Sequence, residues 1–266
     1  MTDLIDKTAN YVLDLASPQR LHILFKLLNH NSTPTEIAKE IESTKQEVHR
    51  NFIRLEESGL IEKKNDGTYS ITTFGETVCT QVPTIVFFSQ NRKYFEEHTF
   101  ADIPHKFKIR CGQLATSQHV KGISKVLEQW KTIYKNSEKY IYEILSESPL
   151  DLIEPLVKQI KQGIKFQYIF SESTVVPKGR KALLKKLGFK NLLEKGLIER
   201  KMTKTVQTVI VLNEKEACVL FPAKNGEPDL TEMFYSTDSM FHEWCLDYFR
   251  FCWYGSDIFE ESKLKE

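Results

Sequence analysis

Seven side chains between residues 45 and 64 have the chemical types and the spacing that suit contact with a nucleic acid. Four of them would share one face of a helix: Lys45, Gln46, His49 and Arg50. Three further cations follow: Arg54, Lys63 and Lys64. Amide and cationic groups donate hydrogen bonds to base edges in a major groove, and cations bind phosphates. The pattern predicts base contacts for the first four residues and phosphate contacts for the last three.

Two helix-start signatures would position this face. Thr33-Pro34-Thr35-Glu36 predicts a short helix over 34–41, opened by a capping box with proline at its first position. Thr44-Lys45-Gln46-Glu47 predicts a longer helix over 45–58. In this second helix Val48, Phe52 and Leu55 recur at i, i+4 and i+7. They predict a buried face, which would turn the cationic face outward.

After Gly59 the chain reads as a two-stranded ribbon. Strand signals at 60–64 and 68–72 flank Asn65-Asp66-Gly67, a turn whose residues tolerate positive φ. Two more helical patterns precede the capped pair, over 4–15 and from Ser17-Pro18 onward. The order of elements predicts a winged helix-turn-helix DNA-binding domain over residues 1–75.

The remainder predicts a connecting segment and a second domain. Residues 76–105 read as a connecting helix and linker, in which Pro83 would cause a break or a kink. Its apolar content favours a role in pairing subunits, although packing within its own chain would explain the pattern equally well. Helices and strands then alternate over 106–258, which predicts an α/β effector or sensor domain containing a right-handed β–α–β crossover. The predicted fold class is α+β.

Composition bounds the class of protein. With 266 residues, 41% of them hydrophobic, the chain is long enough for two folded domains. The formal net charge of +1 gives no overall attraction to nucleic acid, but a local basic face remains compatible with it. Five scattered cysteines without a C-x-x-C pair indicate reduced thiols. We find neither a signal peptide nor a membrane-spanning window, and therefore predict a cytoplasmic protein without a membrane partner.

We find no catalytic constellation in the second domain, and we predict that the protein is not an enzyme. The sequence has no Gly-rich phosphate loop, no H-E-x-x-H and no G-x-S-x-G. The sequence has no cluster of cysteines and histidines that would indicate a metal site, and no motif in it implies a cofactor. His119-Val120-Lys121 matches the start of the phospholipase D motif H-x-K-x-x-x-x-D, but Val126 replaces the aspartate and no second copy exists. A degenerate phosphodiesterase is therefore a minor alternative.

Two further features of the second domain leave alternatives open. Aromatic side chains alternate along two predicted strands: Tyr140, Tyr142, Tyr168 and Phe170. They are typical of core, or they line a pocket for an unknown small-molecule effector at the carboxyl ends of the strands. The basic run from Lys178 to Lys204 is a solvated face, a second DNA contact or a site for an anionic effector.

Three phrases resemble known regulators. Ala16–Leu24 and Arg54–Lys63 resemble the S-x-x-R-x-x-I-L start and the L-x-x-x-G-L-I recognition-helix end of winged-helix repressors of the arsenical-resistance and multiple-antibiotic-resistance type. Asp238–Trp253 resembles the ending of an archaeal regulator family in which a winged helix precedes a methanogenesis-regulator middle domain. The resemblance implies an archaeal transcriptional regulator whose second domain folds like a phospholipase D or sugar-sensing domain without catalytic residues.

These observations together predict a homodimeric transcriptional regulator that binds double-stranded DNA. An effector would change how the second domains pair, and so the spacing of the two recognition helices. Many acidic residues in the N-terminal domain favour a different interpretation, in which the winged helix is a protein-interaction module of a larger complex.

Overall fold

The chain forms two compact units, residues 1–83 and residues 84–266, which we call unit 1 and unit 2. The computed structural model describes residues 2–147, 149–172, 174 and 176–264. The fold class is α+β, as the sequence predicted. Unit 1 is a winged helix-turn-helix, and unit 2 is an α/β domain built on one eight-stranded sheet.

Unit 1 consists of a helical cluster and a short ribbon. The helices are α1 (Thr2–Leu15), α2 (Pro18–Leu27), α3 (Pro34–Glu40), α4 (Lys45–Glu57) and α5 (Thr73–Cys79). The strands β1 (Ile61–Lys63) and β2 (Tyr69–Ile71) pair antiparallel. Ser32 forms a bridge to Tyr69 on the other side of β2, so three segments pair side by side in the wing.

The helix starts of unit 1 form as the sequence predicted. Thr33 and Glu36 close the capping box of α3: the Glu36 amide donates to Thr33 Oγ1, and the Thr33 amide donates to Glu36 Oε2. The Thr44 hydroxyl accepts from the Glu47 amide at the start of α4. Each cap satisfies backbone amides that have no partner inside the helix.

The core of unit 1 is small and fully enclosed. Val48, Phe52 and Leu55 of α4 are each 0% exposed and pack with apolar side chains of α2, α3 and the wing. The rings of Phe52 and Tyr69 meet edge to face at 4.8 Å, which joins the middle of α4 to β2. The packing therefore fixes which face of α4 points outward.

The segment predicted as one connecting helix is three helices in the structure: α5, α6 (Val82–Gln90) and α7 (Arg92–Glu97). Pro83 lies in the first turn of α6, where its missing amide donor is tolerated. Cys79 of α5 is buried in the core of unit 1, whereas Phe87 and Tyr94 are buried in a core of unit 2. Residues 76–105 are therefore divided between the two units, and the division falls at 83/84.

Unit 2 alternates helices and strands after a short helix, α8 (His105–Lys108). Its further helices are α9 (Ile123–Lys135), α10 (Leu150–Lys161), α11 (Arg180–Leu187), α12 (Phe189–Glu194) and α13 (Ser239–Gly255). Its strands are β3 (Gln118–Lys121), β4 (Tyr140–Leu145), β5 (Lys165–Ser171), β6 (Ile198–Thr203), β7 (Val209–Leu212), β8 (Ala217–Leu220), β9 (Glu232–Ser236) and β10 (Asp257–Ile258).

The sheet of unit 2 has the order β10-β6-β5-β4-β7-β8-β9-β3. The predicted parallel pairing of β4 with β5 is confirmed, and β5 pairs parallel with β6. The remaining pairs are antiparallel. One face of the sheet packs on α9, α10 and α12, and the other on α13 and the chain around α7 and α8.

The start of α9 differs from the prediction. The apolar spacing predicts a helix from about Val120, but α9 begins at Ile123. Residues Gln118–Lys121 instead pair with β9 as the edge strand β3. Gly122, between β3 and α9, adopts a φ of +97°, which belongs to neither a strand nor a right-handed helix. Among the described residues, no helix is both long enough and apolar enough to span a membrane.

Candidate nucleic-acid interface

The outward face of α4 carries the four residues predicted to contact bases. All four side chains are exposed: Lys45, Gln46, His49 and Arg50. Opposite them lies the buried row formed by Val48, Phe52 and Leu55. The structure therefore brings the predicted set together on the first two turns of one helix, whose N-terminus is the end that enters a major groove in helix-turn-helix proteins.

A polar network, which the sequence analysis missed, holds α4 against α2. Nδ2 of Asn51 donates to Oε1 of Gln19 at 2.6 Å, and Nε2 of Gln19 donates to Oγ of Ser43 at 2.9 Å. The guanidinium of Arg20 donates to the carbonyl oxygens of Asp14 and Leu13 at 2.5 and 2.8 Å. These bonds link the ends of α1 and α2 to the turn before α4 and thereby orient the exposed face.

Arg54 and Lys64 are paired with carboxylates of the same unit. Nε of Arg54 lies 2.6 Å from Oδ1 of Asp14, and Nζ of Lys64 lies 2.5 Å from Oε1 of Glu62. Both cations remain substantially exposed, at 53% and 44% of the side chain. Exposed pairs contribute only about 0–1 kcal/mol, so a phosphate could compete for either cation.

The wing presents Lys63 and Lys64 at the end of β1. Nζ of Lys63 lies 5.9 Å from the centroid of the Tyr69 ring. The turn beyond them is held by Asp66, which accepts from the amide and the hydroxyl of Thr68. Gly67 supplies a φ of +85°, a conformation that the turn requires and that glycine adopts without steric strain. The turn therefore sets the position of both lysines.

An acid lies within the cationic face. Glu47 is exposed on α4, between Gln46 and Val48 in sequence. Hydrogen bonds from the hydroxyls of Thr44 and Ser43 lower the pKa of Glu47, so its carboxylate stays ionised at neutral pH. It reduces the positive potential around Arg50, and any affinity for DNA would rest on local contacts rather than on long-range attraction.

The four aromatics predicted to line one ligand pocket lie on opposite faces of the sheet in unit 2. Tyr140 and Tyr142 stack on one another at 4.2 Å, and Tyr142 stacks on Phe249 of α13 at 4.7 Å. Tyr168 and Phe170 point to the other face, where both line a cavity. Alternation along a strand sends successive side chains to opposite faces, and the pairing of Glu143 with Tyr168 offsets the two aromatic sets by one residue.

Two histidine–carboxylate pairs lie near the β3 edge of the sheet. Nε2 of His119 lies 2.6 Å from Oε2 of Glu232, to which Lys121 is also paired at 3.2 Å. Nε2 of His98 lies 2.8 Å from Oδ2 of Asp229. Burial lowers the pKa of His119, and Lys121 acts in the same direction while Glu232 opposes both. The described residues contain no group of three or more side chains placed to hold a metal ion.

The basic run from Lys178 to Lys204 does not form one continuous face. Lys185, Lys186 and Lys190 are exposed on α11 and α12, but Arg180 is only 5% exposed. In β6, Arg200 pairs with Glu261 at 2.7 Å.

All five cysteines are free thiols, and four of them are buried.

Comparison with known proteins gives one family match and several low-identity structural likenesses. The family model described as the HVO_A0261 N-terminal domain matches residues 10–87, which covers most of unit 1. No curated protein matches the sequence.

Similar solved structures include TrmBL2, an archaeal chromatin protein described as showing a novel mode of DNA binding. It is 12% identical over 91% of this chain and 94% of that chain, with a TM-score of 0.42. Nuc from Salmonella typhimurium, a phospholipase D family member, is 12% identical over 55% of this chain and 99% of its own, with a TM-score of 0.40. NucT from Helicobacter pylori is 13% identical over 54% and 99%, with a TM-score of 0.41. None of these likenesses carries an activity to this chain.

Proposed function

We propose that this chain is a homodimeric, cytoplasmic transcriptional regulator that binds double-stranded DNA through unit 1. Helix α4 enters the major groove, where Lys45, Gln46, His49 and Arg50 face bases. Arg54, Lys63 and Lys64 contact phosphates on either side. Unit 2 is a sensing and dimerisation domain and not an enzyme. The regulator type is the archaeal one implied by the resemblance of Asp238–Trp253 to proteins with a methanogenesis-regulator middle domain.

One observation supports the proposal above the others. The buried row of α4, formed by Val48, Phe52 and Leu55, is 0% exposed at each position. This leaves the opposite face, with two cations, an amide and an imidazole, directed to solvent. Donors of this kind at the N-terminal end of a capped helix match what the edges of guanine and adenine accept. Cations at the end of β1 add the phosphate contacts expected of a wing.

Replacing Arg50 with alanine tests the base contact. If the guanidinium donates to a guanine, the variant should lose about 1–3 kcal/mol of binding free energy and discriminate less at one base position. Bound fragments would first be selected from a random duplex library, and affinity would then be measured by fluorescence anisotropy.

Arg92→Ala is the matched control, because Arg92 is exposed in unit 2 and lies outside the proposed interface. Equal affinity of Arg50→Ala and wild type for the selected duplex would reject the assignment of Arg50.

A protein-interaction module remains a second candidate, favoured by the acids that pair with Arg54 and Lys64 and by the ionised Glu47. Salt dependence separates the two functions. Contacts to three phosphates by each copy of unit 1, six in the dimer, predict that log K falls with log[salt] with a slope of about −5. A flat salt dependence, with binding to a protein partner that Arg50→Ala weakens, would favour the module. Turnover of a phosphodiester substrate would contradict the assignment of unit 2 as non-enzymatic.

A further inference from the structure

A buried carboxylate in unit 2 has one oxygen without a partner. Glu143, on the central strand β4, is 0% exposed. Its Oε1 accepts from Nε1 of Trp130 at 2.8 Å and from the hydroxyl of Tyr134, both on α9. Its Oε2 has no hydrogen-bond partner among the described residues. Burial raises the pKa of Glu143 to about 7, although both hydrogen bonds act in the opposite direction. Buried polar atoms are nearly always paired, so a partner for Oε2 is missing.

A buried donor of opposite charge has the same deficit. Arg180, the first residue of α11, is 5% exposed, and its guanidinium lies 5.5 Å from the centroid of the Phe170 ring. Nε of Arg180 has no hydrogen-bond partner within the part of the chain that the structure describes. Arginine is rarely buried to this extent unless an acceptor or an anion meets it.

Glu143 and Arg180 line one cavity, whose other walls are mainly apolar and aromatic. The walls are hydrocarbon and aromatic side chains, among them Leu152, Leu156, Phe166 and Phe189. Exposed Glu147 and half-buried Pro149 also line it, beside the carboxyl end of β4, so it reaches the surface there. Crevices at the carboxyl ends of parallel strands are the usual ligand sites of open α/β sheets.

The size of the cavity limits what it can hold. The volume of the cavity is about 40 Å³. Because one buried water needs at least about 10–15 Å³, the interior has room for several water-sized groups. A short ligand therefore fits, and a long or bulky one does not.

We infer that this cavity binds a small zwitterion, with its ammonium group at Oε2 of Glu143, its carboxylate at Nε of Arg180, and a short aliphatic body between them. A purely apolar ligand would leave both polar atoms unpaired. A single-charge ligand would pair one and leave the other buried without a partner. A ligand that carries both charges satisfies both atoms and lays its hydrocarbon on the leucine and phenylalanine walls.

Titration calorimetry of the full-length protein at pH 8, without DNA, tests this inference. The zwitterionic probes are glycine, β-alanine, 4-aminobutyrate and L-valine, which vary the separation of the charges and the width of the body. The single-charge probes are propylamine and propionate. At least one zwitterion should bind 10-fold or more tightly than both single-charge probes. Equal or undetectable binding of all six would overturn the inference and leave a cavity that holds only water.

Two substitutions assign the ends of the ligand. Glu143→Gln preserves the size of the side chain and an acceptor for Trp130 and Tyr134, and it should reduce zwitterion affinity at least 10-fold, to the level of propionate. Arg180→Met should reduce it to the level of propylamine.

The controls are Glu243→Gln and Arg250→Met, two exposed positions on α13, and both should bind as wild type does. The assignment would be contradicted if the controls also lost affinity, or if neither cavity variant lost it. The comparison of probes on the wild-type chain stands even if a variant fails to fold, and none of these measurements depends on DNA binding.

Discussion

Single residues decide how available each charge in this protein is. Arg50 is exposed and makes no salt bridge among the described residues, whereas Arg54 shares its charge with Asp14. Glu143 represents the other extreme, because it has lost all contact with solvent. Two donors from α9 stabilise its carboxylate, but they do not compensate fully for burial, and its pKa rises to about 7.

Glu143→Gln should change how stability depends on pH. The pKa of Glu143 is higher in the folded chain than in the unfolded chain. Its contribution to the free energy of unfolding is therefore fully present below about pH 4.5 and is lost as pH rises through about 7. As pH rises from 4 to 8, the free energy of unfolding of the glutamine variant should therefore increase by about 1–3 kcal/mol relative to that of wild type. Urea unfolding followed by tryptophan fluorescence would measure it, since Trp130 contacts Glu143.

Glu138→Gln is a suitable comparison, because Glu138 is an exposed carboxylate of the same unit. If the free energies of unfolding of Glu143→Gln and wild type differ by the same amount across this pH range, Glu143 does not titrate as described.

At the scale of elements, the wing and its following helix depend on a close backbone approach. A Cβ on Gly75 would lie 2.0 Å from the carbonyl oxygen of Leu60 and 3.0 Å from the side chain of Ile71. Helix α5 therefore packs directly on the backbone that enters β1. The Thr72 hydroxyl supports the same junction, because it caps α5 and donates to the carbonyl oxygen of Gly59 at 2.7 Å.

Gly75→Ala should destabilise unit 1 by about 1–3 kcal/mol, because α5 must move away from the wing to admit the methyl group. Circular dichroism during urea unfolding is the appropriate measurement, since all three tryptophans lie in unit 2. Gly255→Ala, in open space near the end of α13, should leave stability nearly unchanged. If both variants unfold at the same urea concentration as wild type, the close approach at Gly75 carries no energetic weight.

At the scale of the whole molecule, one copy of the proposed recognition helix α4 offers few contacts to DNA. The exposed face of α4 and the wing together present seven candidate side chains, two of them already paired with carboxylates. Affinity for a specific site would then come from two copies of unit 1 held in one dimer, since linking two weak sites raises the effective concentration of the second.

A duplex with two half-sites one helical turn apart should bind at least 10-fold more tightly than a duplex with one half-site. Anisotropy titrations with both duplexes, together with sedimentation of the free protein, would show this. A monomer in sedimentation that binds both duplexes equally would contradict the proposed homodimer.

The sequence by itself determined the parts of this protein that depend on neighbours along the chain. Capping residues and glycines act within a few positions, so the bounds of α3, α4 and the ribbon, and the outward face at Lys45–Arg50, could be predicted. The parallel pairing of β4 and β5 followed from chain order and the handedness of crossovers.

Only the tertiary structure decided what depends on partners distant in sequence. Nothing local to Asp14 shows that it pairs with Arg54, and nothing local to β3 shows that its partner is β9, more than 100 residues away. The alternation of Tyr140, Tyr142, Tyr168 and Phe170 was visible, but the register of β4 and β5 sent them to two faces. Glu143 and Arg180 meet one cavity because the fold encloses them together, and burial, unlike helix capping, is a property of the packed molecule.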